Sequence, residues 1–329
     1  MRAHRNGGMR ATAFACTLLA AAPAGAQAVR DDFPGPQLSP ETWFVCHRDE
    51  NDFAIVPVPE QGFNAARTLV RDRLSPARPG ASGAHGACAD AGGGYKRDAA
   101  QRAELWEEDA LHLPVGTDVW YQFAMFIDPS VSPRHGHLVI GQWKQRGGNS
   151  PFVAQRFRGR SFTITIEQDD RSPGRAPDRA QCRVLVASDR EEAQPGPPVL
   201  AGAGALPSAP HGEIDRVRAL APASPAQRLP GCATDLTVER FGPLPSPFGR
   251  WTTMRYRIKA TAAGDGLLEV WADGRPVVRV TGRFGYAADR ESADQYFKFG
   301  PYREPAEGSI YAMIARFRRG ATLDDVARD

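Results

Sequence analysis

The stretch Gln295–Arg303 reads QYFKFGPYR and has the alternation of a β-strand. Successive side chains of a strand point to opposite faces, so the residues of this stretch separate into two sets. One predicted face carries Tyr296, Lys298, Gly300 and Tyr302. The other carries two phenylalanines, which are expected to enter a core. The stretch therefore predicts a strand that presents a phenol and an amine over a gap left by the glycine.

Similar alternation recurs along most of the chain, and no long amphipathic helix pattern interrupts it. Asp273-Gly274 between two such runs is a two-residue hairpin signal. Many short strands separated by glycine and proline predict an all-β sandwich or jelly roll. The predicted strands are 119–127, 137–145, 152–158, 162–167, 182–187, 251–260, 267–271, 277–280, 296–302 and 310–317.

The first residues have the pattern of a signal peptide, which we assign to residues 1–28. Arg2, Arg5 and Arg10 form a basic start, an apolar run follows, and small residues near Ala26 or Ala28 suit cleavage. No later apolar run approaches the roughly 20 residues of a membrane span. The protein is expected to be secreted or periplasmic. The remainder, 29–329, is predicted to be a single domain with a loop-rich insertion at about 169–231.

Net charge argues against a nucleic-acid-binding protein. The chain has a formal charge of +3, and residues 1–28 carry three arginines and no acidic side chain, so the mature chain is neutral. A nucleic-acid-binding domain is expected to be strongly basic. An acidic partner would have to meet a local patch of positive charge.

Four cysteines remain after the predicted cleavage, and an even number in an oxidising compartment favours two disulfides. Proximity suggests pairing Cys46 with Cys88 and Cys182 with Cys232, which is one of three possible arrangements. A metal site of four cysteines is the alternative, but no two of them have the close spacing of a zinc knuckle. No metal site is therefore assigned.

The segment 102–108, RAELWEE, contains a first set of residues suited to an acidic sugar. On a strand, Arg102, Glu104 and Trp106 share a face. An arginine can bind a uronate carboxylate through two hydrogen bonds, the glutamate can orient it, and tryptophan can stack on a sugar ring. An ion pair beside a core tryptophan is the structural alternative. Because tryptophan occupies the centre of this run, a laminarinase-type hydrolase is disfavoured.

A second set lies in the segment 142–145, QWKQ. Gln142 can donate an amide hydrogen to a carboxylate, and Lys144 shares its face. The lysine is a source of positive charge, or a base if burial removes its proton. The nearby His135 and His137 are alternative bases, or surface residues of a turn. Arg156 is placed on a further strand, where it either extends a groove for an acidic polymer or faces solvent.

β-Elimination on a uronate needs a group that neutralises the carboxylate, a base for the C5 proton and an acid for the O4 leaving group. Tyr302 can serve one or both proton transfers, with Lys298 as a nearby cation. An aromatic core strand with an exposed lysine is the structural alternative for this stretch.

Four segments occur in an order that resembles polysaccharide lyases of the concanavalin-like jelly-roll type. They are Arg-x-Glu-Leu, Gln-Trp-Lys, Tyr-Phe-Lys-Phe-Gly-x-Tyr-Arg and the closing 310–320. The chain looks most like the heparin lyase I-like family, with a more distant similarity to alginate and glucuronan lyases. This resemblance implies a concanavalin-like β-jelly roll of two antiparallel sheets.

The resemblance also implies roles for individual residues. Lys298 and Tyr302 match the family's lysine and catalytic tyrosine, Gln142 its carboxylate-binding glutamine, and Arg102 its arginine. Where the family places a histidine base two residues after that glutamine, this chain has Lys144. Tyr302 is therefore expected to act as both base and acid, in preference to a lysine base.

The sequence thus predicts an exported polysaccharide lyase acting on a uronate-containing polymer. Predicted catalytic residues are Tyr302, Lys298, Gln142 and Lys144, and predicted substrate-binding residues are Arg102, Glu104, Arg156, Tyr296 and His137. A lectin-like glycan-binding protein is the main alternative, followed by a glycoside hydrolase. No cofactor is predicted: the resemblance to heparin lyases leaves calcium open, but no Asp/Asn-rich loop supports it. The chain is expected to be a monomer that binds neither nucleic acid nor membrane.

Overall fold

The structure is a computed structural model that describes residues 26–46, 52–72, 101–131, 137–147, 150–169, 181–189, 235–287, 293–304 and 306–327. These parts of the chain form strands almost throughout. The strands are β1 (Val29–Asp31), β2 (Trp43–Cys46), β3 (Phe53–Val58), β4 (Phe63–Val70), β5 (Gln101–Arg102), β6 (Glu104–Glu107), β7 (Leu113–Pro114), β8 (Val119–Ile127), β9 (Leu138–Gln145), β10 (Val153–Arg158), β11 (Ser161–Asp169), β12 (Gln181–Ser188), β13 (Leu236–Arg240), β14 (Trp251–Lys259), β15 (Thr261–Ala272), β16 (Arg275–Phe284), β17 (Asp294–Arg303) and β18 (Ile310–Gly320). A short helix, α1 (Leu323–Ala327), follows the last strand.

The strands form two sheets in which neighbouring strands run antiparallel. The front sheet has the order β12-β11-β10-β9-β17-β6-β2, and the short β5 and β7 also pair with β17. The back sheet has the order β13-β16-β15-β14-β8-β18-β4-β3, and β1 pairs with β18. The predicted all-β jelly-roll sandwich is confirmed.

Aromatic side chains fill the space between the sheets. Phe297 of the front sheet stacks on Phe317 of the back sheet with ring centroids 5.8 Å apart. Trp143 lies 4.3 Å from the ring of Tyr256. All four are at most 1% exposed. Truncating a buried phenylalanine such as Phe297 to alanine typically costs about 3–5 kcal/mol, so this layer holds β9 and β17 in place.

The predicted hairpin is present between β15 and β16. Asp273 and Gly274 both have positive φ, 50° and 75°, as a type I′ turn requires. A type I′ turn has the twist of the strands that it joins, so the turn residues set the register of the adjoining pairs, Ala272 with Arg275 and Trp271 with Pro276, before the register shifts at Val270.

One detail of the opening stretch is wrong: Gly300 does not share the face of Lys298. Its φ is +133°, and the register slips between Phe299 and Tyr302. An added Cβ would collide with the Ala103 carbonyl oxygen and lie 3.0 Å from Thr68 Oγ1 of the back sheet. The glycine therefore allows close backbone approach toward the interior, and its missing side chain is not what would open a gap on the outward face.

A buried ion pair lies under β17, and the sequence pattern gave no sign of it. Arg319 Nη1 donates to Glu107 Oε1 over 2.9 Å, and the backbone N–H of Phe297 donates to Glu107 Oε2 over 2.8 Å. Burial raises the pKa of Glu107, although the charge of Arg319 opposes the shift. The pair links the front sheet to β18 of the back sheet.

Two cysteines are visible at opposite edges of the front sheet. Cys46 on β2 and Cys182 on β12 are fully buried and disulfide-bonded. Cys88 and Cys232 lie outside the described residues, so the pairing stays a prediction, and so does the signal peptide, of which residues 1–25 also lie outside. No helix in the described parts is long and apolar enough to cross a membrane.

Candidate active site

The outward face of the front sheet carries the residues selected from the sequence. In the register of neighbouring strands, Lys298 of β17 lies opposite Gln142 of β9 on one side and Trp106 of β6 on the other. The side chains between them in sequence, such as Trp143 and Phe297, enter the core. Because side chains alternate along a strand, Gln142, Lys298 and Trp106 point away from the core.

Glu104 is the centre of a hydrogen-bonded cluster on this face. Its Oε1 accepts a hydrogen bond from Gln142 Nε2 over 2.5 Å, and its Oε2 accepts one from Trp106 Nε1 over 3.3 Å. Arg102 Nη1 lies 3.6 Å from the same Oε2. Glu104 is only 1% exposed, so its charge is balanced by these contacts and not by water. One carboxylate thus orients an amide and a guanidinium.

Lys298 lies within an aromatic cage. Its Nζ is 3.5 Å from the centroid of the Trp106 ring and 5.1 Å from that of Tyr296. A desolvated ammonium is attracted by the electron-rich faces of such rings. Lys298 is 2% exposed. It therefore supplies positive potential from just beneath the surface of the site.

Tyr302 lies between an arginine and a histidine. The Arg102 Cζ is 4.7 Å from the centroid of the Tyr302 ring, and Arg102 is also its partner in the strand register. The ring of His137 meets Tyr302 edge-on, with centroids 5.9 Å apart and planes at 86°. The phenol is thus flanked by a permanent cation and by an imidazole.

Lys144 is directed toward its own turn. Its Nζ donates to the carbonyl oxygen of Gly147 over 2.9 Å, and the residue is 6% exposed. In the register, Lys144 lies opposite Tyr296. An ammonium that donates in this way adds positive charge to the face, but a protonated lysine cannot accept a proton.

His112 is a residue that sequence reasoning missed. Its ring stacks on Tyr296 with centroids 4.4 Å apart and planes at 18°. Its Nε2 lies 3.2 Å from the carbonyl oxygen of Glu107. Burial lowers the pKa of His112, with opposing contributions from its contacts with Glu107 and Asp109. No sequence signal marks it, because it directly follows the 3-10 helix Asp109–Leu111 and reaches the site only through the tertiary fold.

Arg156 lies farther along the same face, on β10, beside a second carboxylate. Arg156 Nη2 and Arg183 Nε both donate to Glu167 Oε1, over 3.2 and 2.5 Å. Arg183 and Glu167 were not selected from the sequence. Among the described residues, this face carries the cationic side chains of Arg102, Lys144, Arg156, Arg183 and Lys298, and the carboxylates of Glu104 and Glu167 contact the three arginines. A chain whose formal net charge is only +3 thus builds a locally positive surface.

The predicted residues consequently converge on one face. Arg102, Glu104, Gln142, Lys298, Tyr302 and Tyr296 form a contiguous group, with His137 and Lys144 at its border. The described parts of the chain contain no cluster of three His, Cys, Asp or Glu side chains that could hold a metal ion. Such a surface can bind a carboxylate and exchange protons with its ligand. The roles of its residues stay predictions.

Comparison with solved structures gives several similar folds. Endo-β-1,4-glucuronan lyase from the fungus Trichoderma reesei is 13% identical with a TM-score of 0.49, and the alignment covers 92% of this chain and 98% of that one. Alginate lyase A1-II′, of polysaccharide lyase family 7, is 13% identical with a TM-score of 0.42, over 86% and 96% of the two chains. Alginate lyase AlgAT5 is 11% identical with a TM-score of 0.40, over 85% and 94%.

No curated protein matches the sequence. A family described as polysaccharide lyase matches residues 78–315, which is well over half of the chain and includes every strand of the site. The chain belongs to the polysaccharide lyase family.

Proposed function

We propose that this polysaccharide lyase cleaves a uronate-containing polymer by β-elimination on the outward face of the front sheet. The observation that carries the proposal is the contact of Arg102 with both Tyr302 and Glu104, whose other oxygen holds Gln142. These contacts support the proposal because they bring a phenol close to a guanidinium and an amide, two groups that are able to bind a carboxylate. The local positive charge attracts an acidic polymer.

Carboxylate binding is the first task of the site. Arg102 and the second amide hydrogen of Gln142 bind the C6 carboxylate of the sugar, and Lys298 adds positive potential below. When the C5 proton leaves, negative charge spreads onto this carboxylate. Groups already oriented by Glu104 stabilise that charge without reorganising, which is the largest source of catalysis in many enzymes.

Proton transfer is the second task, and we assign it to Tyr302. Its phenolate, stabilised by the Arg102 guanidinium, removes the C5 proton. The C5–H electron pair forms the C4–C5 double bond as the C4–O4 bond breaks. The phenol then returns the proton to O4 of the leaving sugar, which regenerates the phenolate. A single residue on one side of the sugar thus completes a syn elimination.

His137 is a rival base within the same proposal, because its ring contacts that of Tyr302. In that variant the imidazole removes the C5 proton and Tyr302 protonates O4. Lys144 is a weaker candidate, since its ammonium donates to the Gly147 carbonyl oxygen. We prefer Tyr302 alone because the Arg102 guanidinium, whose Cζ lies 4.7 Å from the centroid of the Tyr302 ring, can stabilise the phenolate that would act as the base.

The finer assignment, to the heparin lyase I-like group, is part of this proposal and rests on the motifs around Arg102, Gln142 and Tyr302. We also propose an exported monomer. The amino terminus of the mature protein, read by mass spectrometry, is expected near residue 27 or 29, and gel filtration is expected to give the mass of one chain. An intact amino terminus in the cell extract would contradict export.

The activity is tested with glucuronan, alginate, heparan sulfate and heparin, by following the ultraviolet absorbance of the unsaturated product. We expect absorbance to rise with at least one polymer. No rise with any of them would reject the lyase assignment for these substrates. Glycan binding without an unsaturated product would favour a lectin-like protein, and new reducing ends without unsaturation would indicate a hydrolase.

A further inference from the structure

A groove of about 610 Å³ lies on the back sheet, on the side of the sandwich opposite the candidate active site. Residues from β1, β3, β4 and β18 and from the adjoining turns form it. Its lining consists of Arg30, Asp32, Pro57, Val58, Pro59, Gly62, Phe63, Asn64, Arg316 and Arg318. Pockets that hold drug-sized ligands range from about 300 to 1,000 Å³, so the groove has room for a short oligosaccharide.

The groove borders an aromatic surface that is separate from the main core. Phe63 meets Trp251 edge-on with ring centroids 5.0 Å apart, and both rings are partly exposed. They pack on a small cluster that includes Ala65, Ala124 and Ala315. Partly exposed aromatic rings on the outer face of a sheet offer the flat apolar surface on which a sugar ring can stack.

Arg316 has an unusual backbone that places its side chain in the groove. Its φ is +50°, and the register of β18 against β8 slips between Ala315 and Arg318. A non-glycine residue in this region costs on the order of 1 kcal/mol, and such strain is concentrated at functional sites. The Arg316 Cζ lies 4.9 Å from the centroid of the Phe63 ring. The guanidinium is thus held beside the aromatic surface.

The charges in the groove are unequal. Asp32 accepts hydrogen bonds from Arg30 Nε over 2.9 Å and from Arg318 Nη2 over 2.6 Å. One carboxylate therefore binds two guanidinium groups, and Arg316 adds a third guanidinium group to the lining of the groove. The lining thus carries two more positive than negative charges. Arginine is the side chain best suited to bind a carboxylate through two parallel hydrogen bonds.

We propose that this groove is a second binding site for an acidic glycan chain, distinct from the candidate active site. The partly exposed aromatic ring of Phe63 would stack on a sugar ring, and Arg316 and Arg30 would bind the carboxylates of successive sugars. A polymer held here raises the effective concentration of further segments at the front sheet. The groove adds binding and takes no part in the cleavage step.

The test counts binding sites on full-length Tyr302→Phe protein, in which the polymer is not expected to be cleaved. Calorimetry with glucuronate and alginate hexasaccharides is expected to give two sites per chain for at least one of them. Arg316→Gly should weaken one site by about tenfold or more and leave the other unchanged, since a lost hydrogen bond to a charged group is worth about that much. Glycine tolerates the φ of +50°, so folding should survive. Arg30→Ala, which changes an exposed residue, should weaken the same site.

Arg275→Ala is the matched control, because Arg275 is exposed on the back sheet away from the groove. A single binding site whose affinity is unchanged by Arg316→Gly would overturn the proposal. An equal loss of affinity in Arg275→Ala would also overturn it. Polyglutamate that competes as well as the hexasaccharides would overturn the assignment to glycans. Because binding is measured without turnover, failure of the lyase activity leaves this test intact.

Discussion

Gln142 on β9 donates its side-chain amide hydrogen to Glu104 on β6 over 2.5 Å, across the whole width of β17. Strands two places apart in a sheet are separated by about 10 Å, so both side chains must reach over the central strand. The glutamate fixes which way the amide points and also faces Arg102. The two groups that we propose to bind the substrate carboxylate are therefore oriented before substrate arrives.

Glu104→Gln is expected to lower kcat/KM by about 10- to 100-fold by disorienting Gln142 and Arg102, in line with losses of supporting residues elsewhere. As a positioning residue, Glu104 should affect kcat more than KM, and Glu104→Asp should restore part of the activity. Steady-state kinetics on the best substrate measures both. Glu269→Gln on the back sheet is the control. An equal loss of kcat/KM in Glu269→Gln would show that the effect of Glu104→Gln comes from general destabilisation of the protein.

Tyr302→Phe is expected to lower kcat by about 10²- to 10⁴-fold, which is the usual contribution of a general acid–base group. Substrate affinity should change little, because the ring and its contact with Arg102 remain. Tyr311→Phe, a change on β18 of the back sheet, should leave kcat unaffected. Full activity of Tyr302→Phe would remove this residue from the mechanism.

His137→Gln and Lys144→Met separate the candidate bases. If Tyr302 carries both proton transfers, the activity of each variant should stay within about tenfold of that of the unsubstituted protein, because neither substitution removes the general base. The pH profile of kcat/KM should keep its shape in both. A loss of about 100-fold or more in His137→Gln, together with loss of the acidic limb of the profile, would instead assign the base to His137. Lys144→His is an informative companion, because it restores the histidine that the family resemblance implies.

Arg319→Met is expected to destabilise the fold by about 3–5 kcal/mol, since it leaves the carboxylate of Glu107 buried without its charge partner. The double variant Glu107→Gln/Arg319→Met should recover part of that loss, because no lone charge remains. Urea unfolding followed by circular dichroism gives both free energies. Arg275→Ala, which removes an exposed arginine, should have almost no effect. An unchanged midpoint for Arg319→Met would contradict a structural role for the pair.

The stability of the protein is expected to fall as the pH drops below about 6.5, in part through His112. Burial lowers the pKa of this histidine below 6.5, so at mildly acidic pH the unfolded chain binds a proton that the folded chain does not. The contribution of His112 is complete above its unfolded pKa and is lost as the pH falls through its folded one. His112→Phe keeps a ring against Tyr296 and should flatten the melting temperature between about pH 5 and 7. If the melting temperature depends on pH in the same way in the unsubstituted protein and in His112→Phe, His112 does not make this contribution.

Much of the site could be predicted because strand alternation is a local property. Lys298, Gln142 and Trp106 lie on the outward face for the same reason that Phe297 and Trp143 lie in the core. The failure at Gly300 has an equally local cause in the structure, a bulge, but the register slip that creates it depends on the partner strands. His112 and Arg183 carry no pattern of their own, so their positions followed only from the folded chain.

By itself, the sequence determined the all-β class, the two-faced strands and the residue types that an acidic sugar requires, because these depend on the order of side chains along a strand. Only the tertiary structure decided which strands are neighbours. That adjacency brings Arg102, Gln142 and Tyr302 together, pairs Glu107 with Arg319 beneath them, and gathers the arginines of the groove on the opposite sheet. Pairing between strands distant in sequence depends on packing of the whole core, which no short stretch of sequence encodes.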